Sequence, residues 1–517
     1  MGECNDWETP VSKGIHVQQQ DATLAQHFTP ETVARFVWKM VRRRSSRLLG
    51  AKPRIIDPSA GAGVWLKAVM ESGHARPEDV YGIEIDERLG LPERGITYTG
   101  DGLLGRFPNV EDGSFDAVVG NPPFGKLGQF IDIMGNPPYQ VLRNNFEICE
   151  HVGGSMASFP IELLFLERAL QLVRPQGWIA FVMPDGFFAN ARQQAARDWI
   201  HLHYQVLDVI GLPEVVFRAK GLNARAGIVL LRKKRPRGRV QFFAPAGPSR
   251  RADVDLYLRQ VLKGGGPQVR GLSLTQSQMA GKRWDPGYWQ GALRMRQLGK
   301  RFALKRLGDY IEHLTYGPIV TGCKPEHVED GIVVIRQGDI TETGLSRGGL
   351  LKVAVRGNYD PERSRVQRGD LLLPRSGAGA LGRNRMAVYT DRAQANVGCF
   401  VDRIRLRGIN PFYAWFFFKT KIGWEQIAAL INGVGTPNIN FDEIRSLRVA
   451  EVDTELQAMF EARYRRDVLP WHRRRDRSEQ ARARGEQSFR QVVAELQGYL
   501  AGECKRDDLF AATEAPN

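Results

Sequence analysis

The feature that most constrains this chain is a repeated alternation of short apolar runs and amphipathic stretches between residues 33 and 232. A helix is predicted near residues 33–49. Apolar runs such as "PRIID" (53–57) and "FDAVVG" (115–120) are each followed by a turn and a helical segment. Parallel neighbours need long crossover connections, so this alternation predicts an α/β domain with a mostly parallel sheet and helices on both faces.

The pattern changes in the second half of the chain. An Arg-, Pro- and Gly-rich break lies at residues 232–251, and short apolar runs alternate with Gly-rich turns after about residue 285. These features predict a separate domain that is mainly β or α+β, followed by a helical, Arg-rich end. The expected boundaries are an N-terminal extension at 1–25, the α/β domain at 26–245, a linker at 246–285, the second domain at 286–453 and the helical segment at 454–517.

The chain carries a large excess of positive charge. Lys and Arg number 73 against 57 Asp and Glu, which gives a formal net charge of +16. Such an excess on a folded chain indicates a polyanionic partner, most often nucleic acid. A basic surface that binds no nucleic acid is the alternative interpretation.

Cysteine usage and the N-terminus bear on the compartment. The five cysteines are scattered without a CxxC pair, which favours neither a zinc site nor a disulfide framework. The start "MGECNDWETP" does not resemble a signal peptide, and Asp6 departs from the myristoylation pattern. No apolar run approaches the roughly 20 residues needed to cross a bilayer. We therefore expect a cytoplasmic protein associated with the nucleoid.

Acidic residues follow three successive predicted strands. Asp57 opens the Gly-rich turn "DPSAGAG" (57–63), Glu84 ends the next strand, and Asp101 follows the third. Glycines allow close backbone approach to a ligand, and the following helix adds a positive dipole. Glu84 suits the two hydroxyls of a ribose, and Asp101 suits an adenine amino group. A solvated loop charge is the alternative for each carboxylate taken singly.

The sequence provides no clear phosphate site. "GAGALGRN" (377–384) has Arg383 and Asn384 where a P-loop needs Lys and Ser or Thr. ATP chemistry is therefore not expected, and a nucleoside cofactor without a phosphate site fits S-adenosylmethionine. The nine histidines form no credible metal cluster, so no metal is expected.

A second set of polar and aromatic residues ends the fourth strand of the pattern, as "GNPPFG" (120–125). A conjugated exocyclic amino group becomes nucleophilic only when its nitrogen moves toward tetrahedral geometry. The amide oxygen of Asn121 and the carbonyl of Pro122 can each accept one of its N–H bonds, and the prolines stiffen the backbone. The ring of Phe124 can stack on the base. A base inside a duplex must be flipped out to reach such a site.

The four-residue word occurs twice, since "NPPY" repeats it at residues 136–139. Only the first copy fits the expected position at the end of an apolar strand. Residues 125–158 are expected to form an excursion near the mouth of the site. Asn136 and Tyr139 are expected to be loop residues, either in a plain turn or covering the flipped base or touching DNA.

Five motifs together resemble the N6-adenine DNA methyltransferases of the gamma arrangement. The resemblance covers residues 26 to about 232 and implies a Rossmann-like, S-adenosylmethionine-dependent domain. The motifs are "QHFTP" (26–30), "DPSAGAG" (57–63), "GIEID" (82–86), "GDGLL" (100–104) and "GNPPFG" (120–125). For the cofactor, the resemblance implies Thr29, Asp57, Pro58, Ser59, Ala60, Gly61, Glu84, Asp101 and Asn121. For the target adenine it implies Asn121, Pro122, Pro123 and Phe124, with Phe217 on the other face of the base.

The second domain resembles the target recognition domain of type I restriction specificity subunits. The resemblance is carried by "RWDPGYW" (283–289), "LGDYIEHLTYG" (307–317), "VIRQGDITETG" (334–344), "GDLLLPRSGAGALGR" (369–383) and "GVGTPNINFDEI" (433–444). It implies double-stranded DNA as partner, with loop residues that reach bases or phosphates. The candidates are Arg375, Ser376, Arg383, Asn384 and Arg385. The Arg-rich tail is expected to lie along DNA, to act as a helical spacer or to form a solvated face.

Three hypotheses follow. The first is a sequence-specific DNA adenine-N6 methyltransferase of a restriction-modification or phage-defence system, with a restriction nuclease or another defence protein as partner. The second is an RNA adenine-N6 or guanine-N2 methyltransferase, because NPP with an aromatic also occurs in RNA and protein-glutamine methyltransferases. The third is a catalytically silent DNA-binding module. No PD…ExK cluster is evident, so a fused nuclease is not expected.

Overall fold

The computed structural model describes most of the chain in two compact units. The described residues are 29–45, 52–213, 215–218, 225–246, 253–322, 325–346, 350–377, 379–431, 438–470 and 479–514. The first unit comprises residues 1–183, 202–205 and 229–235, and the second comprises 184–201, 206–228 and 236–517. The predicted N-terminal extension and Gln26–Phe28 lie outside the described residues.

Short apolar runs in the first half of the chain form strands, as the alternation predicts. In chain order they are β1 (Ile55–Asp57), β2 (Val80–Glu84), β3 (Ile96–Thr99), β4 (Phe115–Gly120), β5 (Val173–Pro184), β6 (Gln205–Gly211), β7 (Ala226–Arg232), β8 (Arg239–Pro245) and β9 (Val269–Thr275).

The first unit contains a doubly wound, mostly parallel sheet. Its strands lie in the order β3-β2-β1-β4-β5-β7. The pairs β2/β3, β1/β2, β1/β4 and β4/β5 are parallel. Next to β5, β7 runs the opposite way: the amide of Gln176 donates to the carbonyl of Lys233 in the first unit, and the amide of Asp185 donates to that of Arg225 in the second. The predicted α/β architecture is confirmed.

Helices of the first unit precede β1, connect β1 to β2 and connect β4 to β5. The predicted first helix begins at Glu31, and its apolar positions Val33, Phe36, Val37 and Met40 are buried. This burial is what an amphipathic helix on a sheet requires. The helices are Glu31–Ser45, Val64–Glu71, Tyr139–Asn145, Ile148–Val152 and Ile161–Leu172.

In the second unit, β8 pairs in parallel with β6 and antiparallel with β9. Strand β9 lies within residues 246–285, the stretch that was predicted to be a linker. That stretch holds β9 and the helix Val254–Lys263, which Asp253 caps by accepting a hydrogen bond from the amide of Leu256. The domain boundaries proposed from the sequence remain predictions.

The rest of the second unit contains small sheets. Its strands are β10 (Leu304–Arg306), β11 (Ile311–Tyr316), β12 (Ile332–Ile335), β13 (Ile340–Thr341), β14 (Gly344–Leu345), β15 (Leu351–Val353), β16 (Arg365–Val366), β17 (Leu371–Pro374), β18 (Ala387–Val388), β19 (Ala395–Val397), β20 (Val401–Leu406) and β21 (Arg448–Ala450). Two four-stranded sheets have the orders β11-β20-β17-β18 and β15-β12-β19-β16.

Helices pack an aromatic-rich core against the first of these sheets. The helix Pro411–Lys419 is buried on nearly every side, and its Trp415, Phe416 and Phe417 belong to one cluster with Leu371 and Ile404 of the sheet. The helices of this unit are Asp185–Ala189, Gln194–His203, Val215–Arg218, Val254–Lys263, Gln276–Met279, Pro286–Leu298, Pro411–Lys419, Lys421–Leu430, Phe441–Ser446, Thr454–Arg463, the π-helix Tyr464–Val468, Glu479–Ala501 and Arg506–Glu514. This part of the chain combines strands and helices, as the expectation of a mainly β or α+β structure requires.

Arginines of the C-terminal helical segment form internal ion pairs. Arg463 lies 2.9 Å from Asp467 and also pairs with Glu495, and Arg466 lies 2.6 Å from Asp467. These two arginines therefore pair with carboxylates of their own segment. Residues 471–478, which include most of the remaining Arg-rich run, lie outside the described part. Among the described residues, no helix is long and apolar enough to span a membrane.

Candidate functional site

A single cleft in the first unit brings the sequence motifs together. Its empty space, including the open mouth, is about 900 Å³. Eight of the predicted cofactor residues line it, and the ninth, Asp57, lies beneath. The lining residues are Thr29, Pro58, Ser59, Ala60, Gly61, Ala62, Val64, Trp65, Glu84, Ile85, Asp101, Gly102, Leu103, Asn121, Pro123, Phe130, Ile133, Met134, Ile161 and Phe165.

The Gly-rich turn after β1 depends on backbone conformations that favour glycine. Gly61 has a φ of 56° and Gly63 a φ of 70°. A Cβ at Gly63 would lie 2.2 Å from Cδ of Pro92, so a side chain there meets both strain and a neighbour. The turn thereby brings the amide of Gly61 within 2.7 Å of a carboxylate oxygen of Glu84.

Glu84 and Asp101 present their carboxylates at neighbouring strand ends. Glu84 pairs with Thr99 in the β2/β3 register, and Asp101 follows two residues later. Glu84 accepts hydrogen bonds from the amides of Gly61 and Asp86, and Asp101 accepts one from the amide of Leu103 at 2.9 Å. Burial raises the pKa of both carboxyl groups above their ordinary values.

Asp57 lies under the cleft and is fully buried. Its Oδ1 accepts hydrogen bonds from the amide of Ser59 at 3.0 Å and from the Ser59 hydroxyl at 3.4 Å. Within the described residues, its Oδ2 has no hydrogen-bond partner. Burial, reinforced by the charge of Glu84, raises the pKa of Asp57 to about 8.

The first NPPF copy lies next to this carboxylate. Strands β1 and β4 pair directly, and a Cβ at Gly120 would lie 2.7 Å from Oδ1 of Asp57. Glycine at position 120 therefore allows the close approach that puts Asn121 at the cleft. Asn121 and Pro123 line the cleft. Pro122 is buried and Phe124 is half-buried, and neither is among the lining residues.

The loop after Phe124 is anchored on the helix Ile161–Leu172. The amide of Ile161 donates to the carbonyl of Gly125 at 3.0 Å, and the amide of Leu127 donates to that of Phe159 at 2.8 Å. The buried carboxylate of Glu162 lies 3.3 Å from the amide of Gly125, which donates to it. These bonds restrain the backbone that directly follows the first copy.

The second NPPY copy does not line the cleft. Asn136 has a φ of 54°, and Tyr139 begins the helix Tyr139–Asn145. Asn136 is thus a loop residue, as expected. The expectation of a loop was wrong for Tyr139, because Pro138 is the N-cap residue of a helix and Tyr139 is its first residue. Ile133 and Met134, just before this copy, do line the cleft.

Apolar side chains in the cleft were not anticipated from the sequence. They come from several elements: Trp65 from the first crossover helix, Phe130 and Ile133 from the excursion, and Ile161 and Phe165 from one helix. Ile161 and Phe165 are four residues apart, so they share a helix face. That spacing is visible in the sequence, but it is equally typical of a core-facing stripe.

The predicted residues of the second unit fall into different settings. Phe217 lies in the short helix Val215–Arg218, but its side chain is outside the described part of the structure. Arg375 is partly buried, and its Nε lies 3.5 Å from Asp402. Ser376 forms an isolated β-bridge with Asn438.

The remaining three predicted DNA-contacting residues lie together at a tight turn. Arg383 is exposed. Asn384 has a φ of 52°, and its Nδ2 donates to the carbonyl of Phe418 at 3.0 Å, so its side chain helps to close the turn. Arg385 is half-buried, and its amide donates to the carbonyl of Ala380. The turn contains a 3₁₀ segment at Leu381–Arg383 and no α-helix of the kind that follows a P-loop.

In the described ranges, no group of three or more His, Cys, Asp or Glu side chains could hold a metal ion.

One protein-family model matches the chain. It is the Eco57I restriction-modification methylase model, which matches residues 104–217. The matched segment contains the first NPPF copy, its anchoring helix Ile161–Leu172 and Phe217. No curated protein sequence matches.

Several solved structures from restriction-modification systems have detectable likeness to this chain. They include the type IIG restriction endonuclease BpuSI, at 12% identity and a TM-score of 0.44, with 91% of this chain and 66% of that chain covered. The type I restriction-modification methyltransferase subunit from Streptococcus thermophilus has 19% identity and a TM-score of 0.37, with 49% and 56% covered. The M protein of the type I restriction enzyme EcoKI has 15% identity and a TM-score of 0.33, with 46% and 53% covered. The chain thus spans less than two thirds of the length of each.

Proposed function

We propose that this chain is a sequence-specific DNA methyltransferase that transfers a methyl group from S-adenosylmethionine to N6 of a flipped-out adenine. One observation carries the proposal: a single cleft is lined by the Gly-rich turn, by Glu84 and Asp101, and by Asn121 and Pro123. The residues proposed to bind the cofactor and the residues proposed to bind the target amino group therefore line the same cleft. The match of residues 104–217 to a restriction-modification methylase model supports the same reaction class.

The residues of the cleft fit S-adenosylmethionine. The charged residues that line it within the described part are the two acidic residues Glu84 and Asp101, which suit hydroxyl and amino donors better than phosphates. Two further buried polar atoms, Oδ2 of Asp57 and Nε1 of Trp65, have no hydrogen-bond partner among the described residues. Buried polar groups normally have partners, so these atoms are consistent with a ligand site.

The proposed roles of the cofactor residues follow from their positions. Glu84 and Asp101 would bind the ribose and the adenine of the cofactor. Thr29 and residues 57–61 would enclose its remaining parts. When bound, the cofactor supplies an electrophilic methyl group on a sulfonium sulfur.

The target amino group would be oriented by the first NPPF copy. The Asn121 amide oxygen and the Pro122 carbonyl would each accept one of its N–H bonds, which favours the tetrahedral nitrogen that can attack a methyl carbon. The hydrogen bonds of Gly125 with Ile161 and Glu162 restrain the backbone next to these acceptors, which would limit reorganisation during the reaction. Phe124 and Phe217 would pack on the faces of the base.

Duplex DNA is the proposed substrate. The net charge of +16 favours a polyanion, and the arginine-bearing loops of the second unit would supply contacts to bases and phosphates. We further propose that the protein is the modification component of a restriction-modification or phage-defence system, with a nuclease or another defence protein as partner.

A methyl-transfer assay tests the substrate class. The full chain is incubated with S-adenosylmethionine labelled on the methyl group and with duplex genomic DNA, single-stranded DNA or total RNA. Single-molecule sequencing of the DNA then reports which base is methylated and in which sequence. Label in duplex DNA as N6-methyladenine at one recurring sequence is the expected result. Label in RNA alone would assign the chain to the RNA methyltransferases instead, and no transfer to any substrate would leave only a DNA-binding module.

A further inference from the structure

Three loops of the second unit meet at one end of the sheet β11-β20-β17-β18. Tyr316 is the last residue of β11, Arg375 directly follows β17, and Phe400 directly precedes β20. The register pairs Tyr316 with Asp402, and Pro374 with Val401. Because paired residues share a face of an antiparallel sheet, Tyr316, Asp402 and Arg375 lie on the same face.

Arg375 is held in a defined orientation at this sheet end. Its guanidinium carbon lies 4.0 Å from the ring centre of Tyr316 and 5.5 Å from that of Phe441. Its Nε lies 3.5 Å from Oδ1 of Asp402, which is fully buried. Its own backbone is fixed as well, since its amide donates to the carbonyl of Phe400 at 2.9 Å. Stacking and an ion pair thus restrict a side chain that is otherwise costly to order.

Other cationic and aromatic side chains surround Arg375. The exposed Arg363 lies with its guanidinium carbon 5.9 Å from the ring centre of Tyr316 and donates to Thr315 Oγ1 at 3.0 Å. Phe400 is 57% exposed, which is unusual for a phenylalanine. We name Tyr316, Arg363, Arg375, Phe400 and Phe441 the arginine–aromatic cap.

The composition of the cap suits a nucleic acid better than an apolar protein surface. Its guanidinium groups can bind phosphates or base edges, and its aromatic rings can pack on bases. Within the described residues, no carbonyl or side chain other than Asp402 accepts a polar contact from the Arg375 guanidinium. The guanidinium of Arg375 is planar and fixed in orientation, and its Nη groups can still donate. This arrangement matches the two acceptors on the major-groove edge of guanine.

We propose that the arginine–aromatic cap is the base-reading surface of the second unit, and that Arg375 reads a guanine in the recognition sequence. Phe400 packs on the nucleotides beside that base. The inference rests on the proposed function insofar as it takes duplex DNA as the substrate. It also assigns different roles to the five DNA-contacting residues predicted from the sequence. Arg375 would contact a base, whereas the side chain of Asn384 stabilises a turn of its own loop.

A selection experiment tests the inference independently of methyl transfer. The full chain is mixed with a pool of randomised duplex DNA, and the bound fraction is sequenced. The wild-type protein is expected to enrich a motif that contains at least one guanine. Arg375→Ala is expected to lower the preference for one guanine by about 10- to 100-fold, since a good bidentate pair discriminates by that factor, while the other positions keep their preference.

Matched variants sharpen the result. Arg407→Ala removes an exposed arginine at the other end of β20 and is expected to leave the motif unchanged. Phe400→Ala is expected to weaken binding to all sequences without changing the motif. Arg375→Lys keeps the positive charge but loses the two parallel N–H donors of the guanidinium. It is therefore expected to lower the preference for the same guanine, and it provides a test even if Arg375→Ala folds poorly.

The outcomes distinguish this inference from the proposed function. An unchanged motif in both Arg375 variants, or no motif enriched by the wild type, overturns the role of the cap. The wild type could also enrich a motif whose guanine preference is lost in Arg375→Ala and yet transfer no methyl group. That result supports base reading by the cap and overturns the proposed methyltransferase activity.

Discussion

A buried aspartate lies next to the cleft of the first unit and another next to the arginine–aromatic cap of the second unit, but in opposite electrostatic settings. Asp57 lies under a cleft whose described charged residues are acidic, whereas Asp402 lies 3.5 Å from Arg375. Burial raises the pKa of both carboxyl groups, to about 8 for Asp57 and to about 7 for Asp402, where the arginine opposes the shift. The cleft is suited to a small molecule with hydroxyl and amino donors, and the cap to a polyanion.

The proposed cofactor chemistry and the proposed DNA reading would therefore depend on separate sets of side chains. Changes in the cleft are therefore expected to affect methyl transfer and cofactor affinity while the preferred DNA sequence stays the same. Changes in the cap are expected to alter the preferred DNA sequence while cofactor affinity stays the same. The following predictions test that separation.

The largest effect is expected from Asn121→Ala. Loss of one acceptor for the target amino group should lower kcat by at least about 100-fold, by analogy with the removal of one group that stabilises a transition state. Sequence-specific DNA binding should remain. Steady-state transfer of labelled methyl groups measures the change. Asn136→Ala is the matched control, because it alters the same position of the second copy, and it should keep full activity. A dead Asn136→Ala with an active Asn121→Ala would show that the second copy is the reaction centre.

Glu84→Gln is expected to weaken S-adenosylmethionine binding by about 10- to 100-fold, the cost of losing hydrogen bonds to a charged acceptor. The substitution also removes one acceptor for the amides of Gly61 and Asp86, which hold the Gly-rich turn. Isothermal titration calorimetry measures the affinity. Glu87→Gln, an exposed neighbour, should bind normally. Equal affinities of the two variants would exclude Glu84 from the cofactor site.

Gly102→Ala is expected to destabilise the protein by about 1–3 kcal/mol, because added atoms in a packed region force the backbone to shift. A Cβ there would lie 1.9 Å from the carbonyl oxygen of Pro58, so two cofactor loops would have to separate. Gly90→Ala is the control, since its Cβ would meet nothing within 4 Å. Urea unfolding gives both free energies, and a stable Gly102→Ala protein with normal cofactor affinity would contradict the close approach.

The stability of the protein without cofactor is expected to change gradually with pH. Asp57 keeps its proton in the folded state up to a pKa of about 8, but loses it near pH 4 when unfolded. Unfolding therefore releases a proton in this range, and the stability contributed by this group falls as pH rises from about 4 to about 8, by at most about 1.4 kcal/mol per pH unit. The pKa of Asp402, about 7, ends its contribution earlier.

Thermal unfolding of Asp57→Asn and Asp402→Asn between pH 5 and pH 9 measures this difference. The gap in slope between wild type and Asp57→Asn should persist up to about pH 8, and the gap for Asp402→Asn should end near pH 7. Parallel curves for wild type and Asp57→Asn would mean that the Asp57 carboxyl is ionised in the folded protein.

Local patterns in the sequence were sufficient to predict the strands and their polar ends. Asp57, Glu84 and Asp101 follow apolar runs, and the carboxyl ends of parallel strands meet at one sheet edge. Their convergence could therefore be predicted, and the structure places Glu84 and Asp101 on one cleft wall with Asp57 beneath. The preference for the first NPP copy over the second followed from the same strand rule.

The sequence by itself determined which chemical groups stand at the strand ends, because strand period, glycine conformation and proline stiffness act over a few residues. Only the tertiary structure decided what surrounds them. Ile133 enters the cleft from an excursion that has no regular pattern. The Arg375 guanidinium packs against the rings of both Tyr316 and Phe441, which are 59 and 66 positions away along the chain. Such contacts depend on how distant segments pack, and packing between distant segments leaves no local period to read.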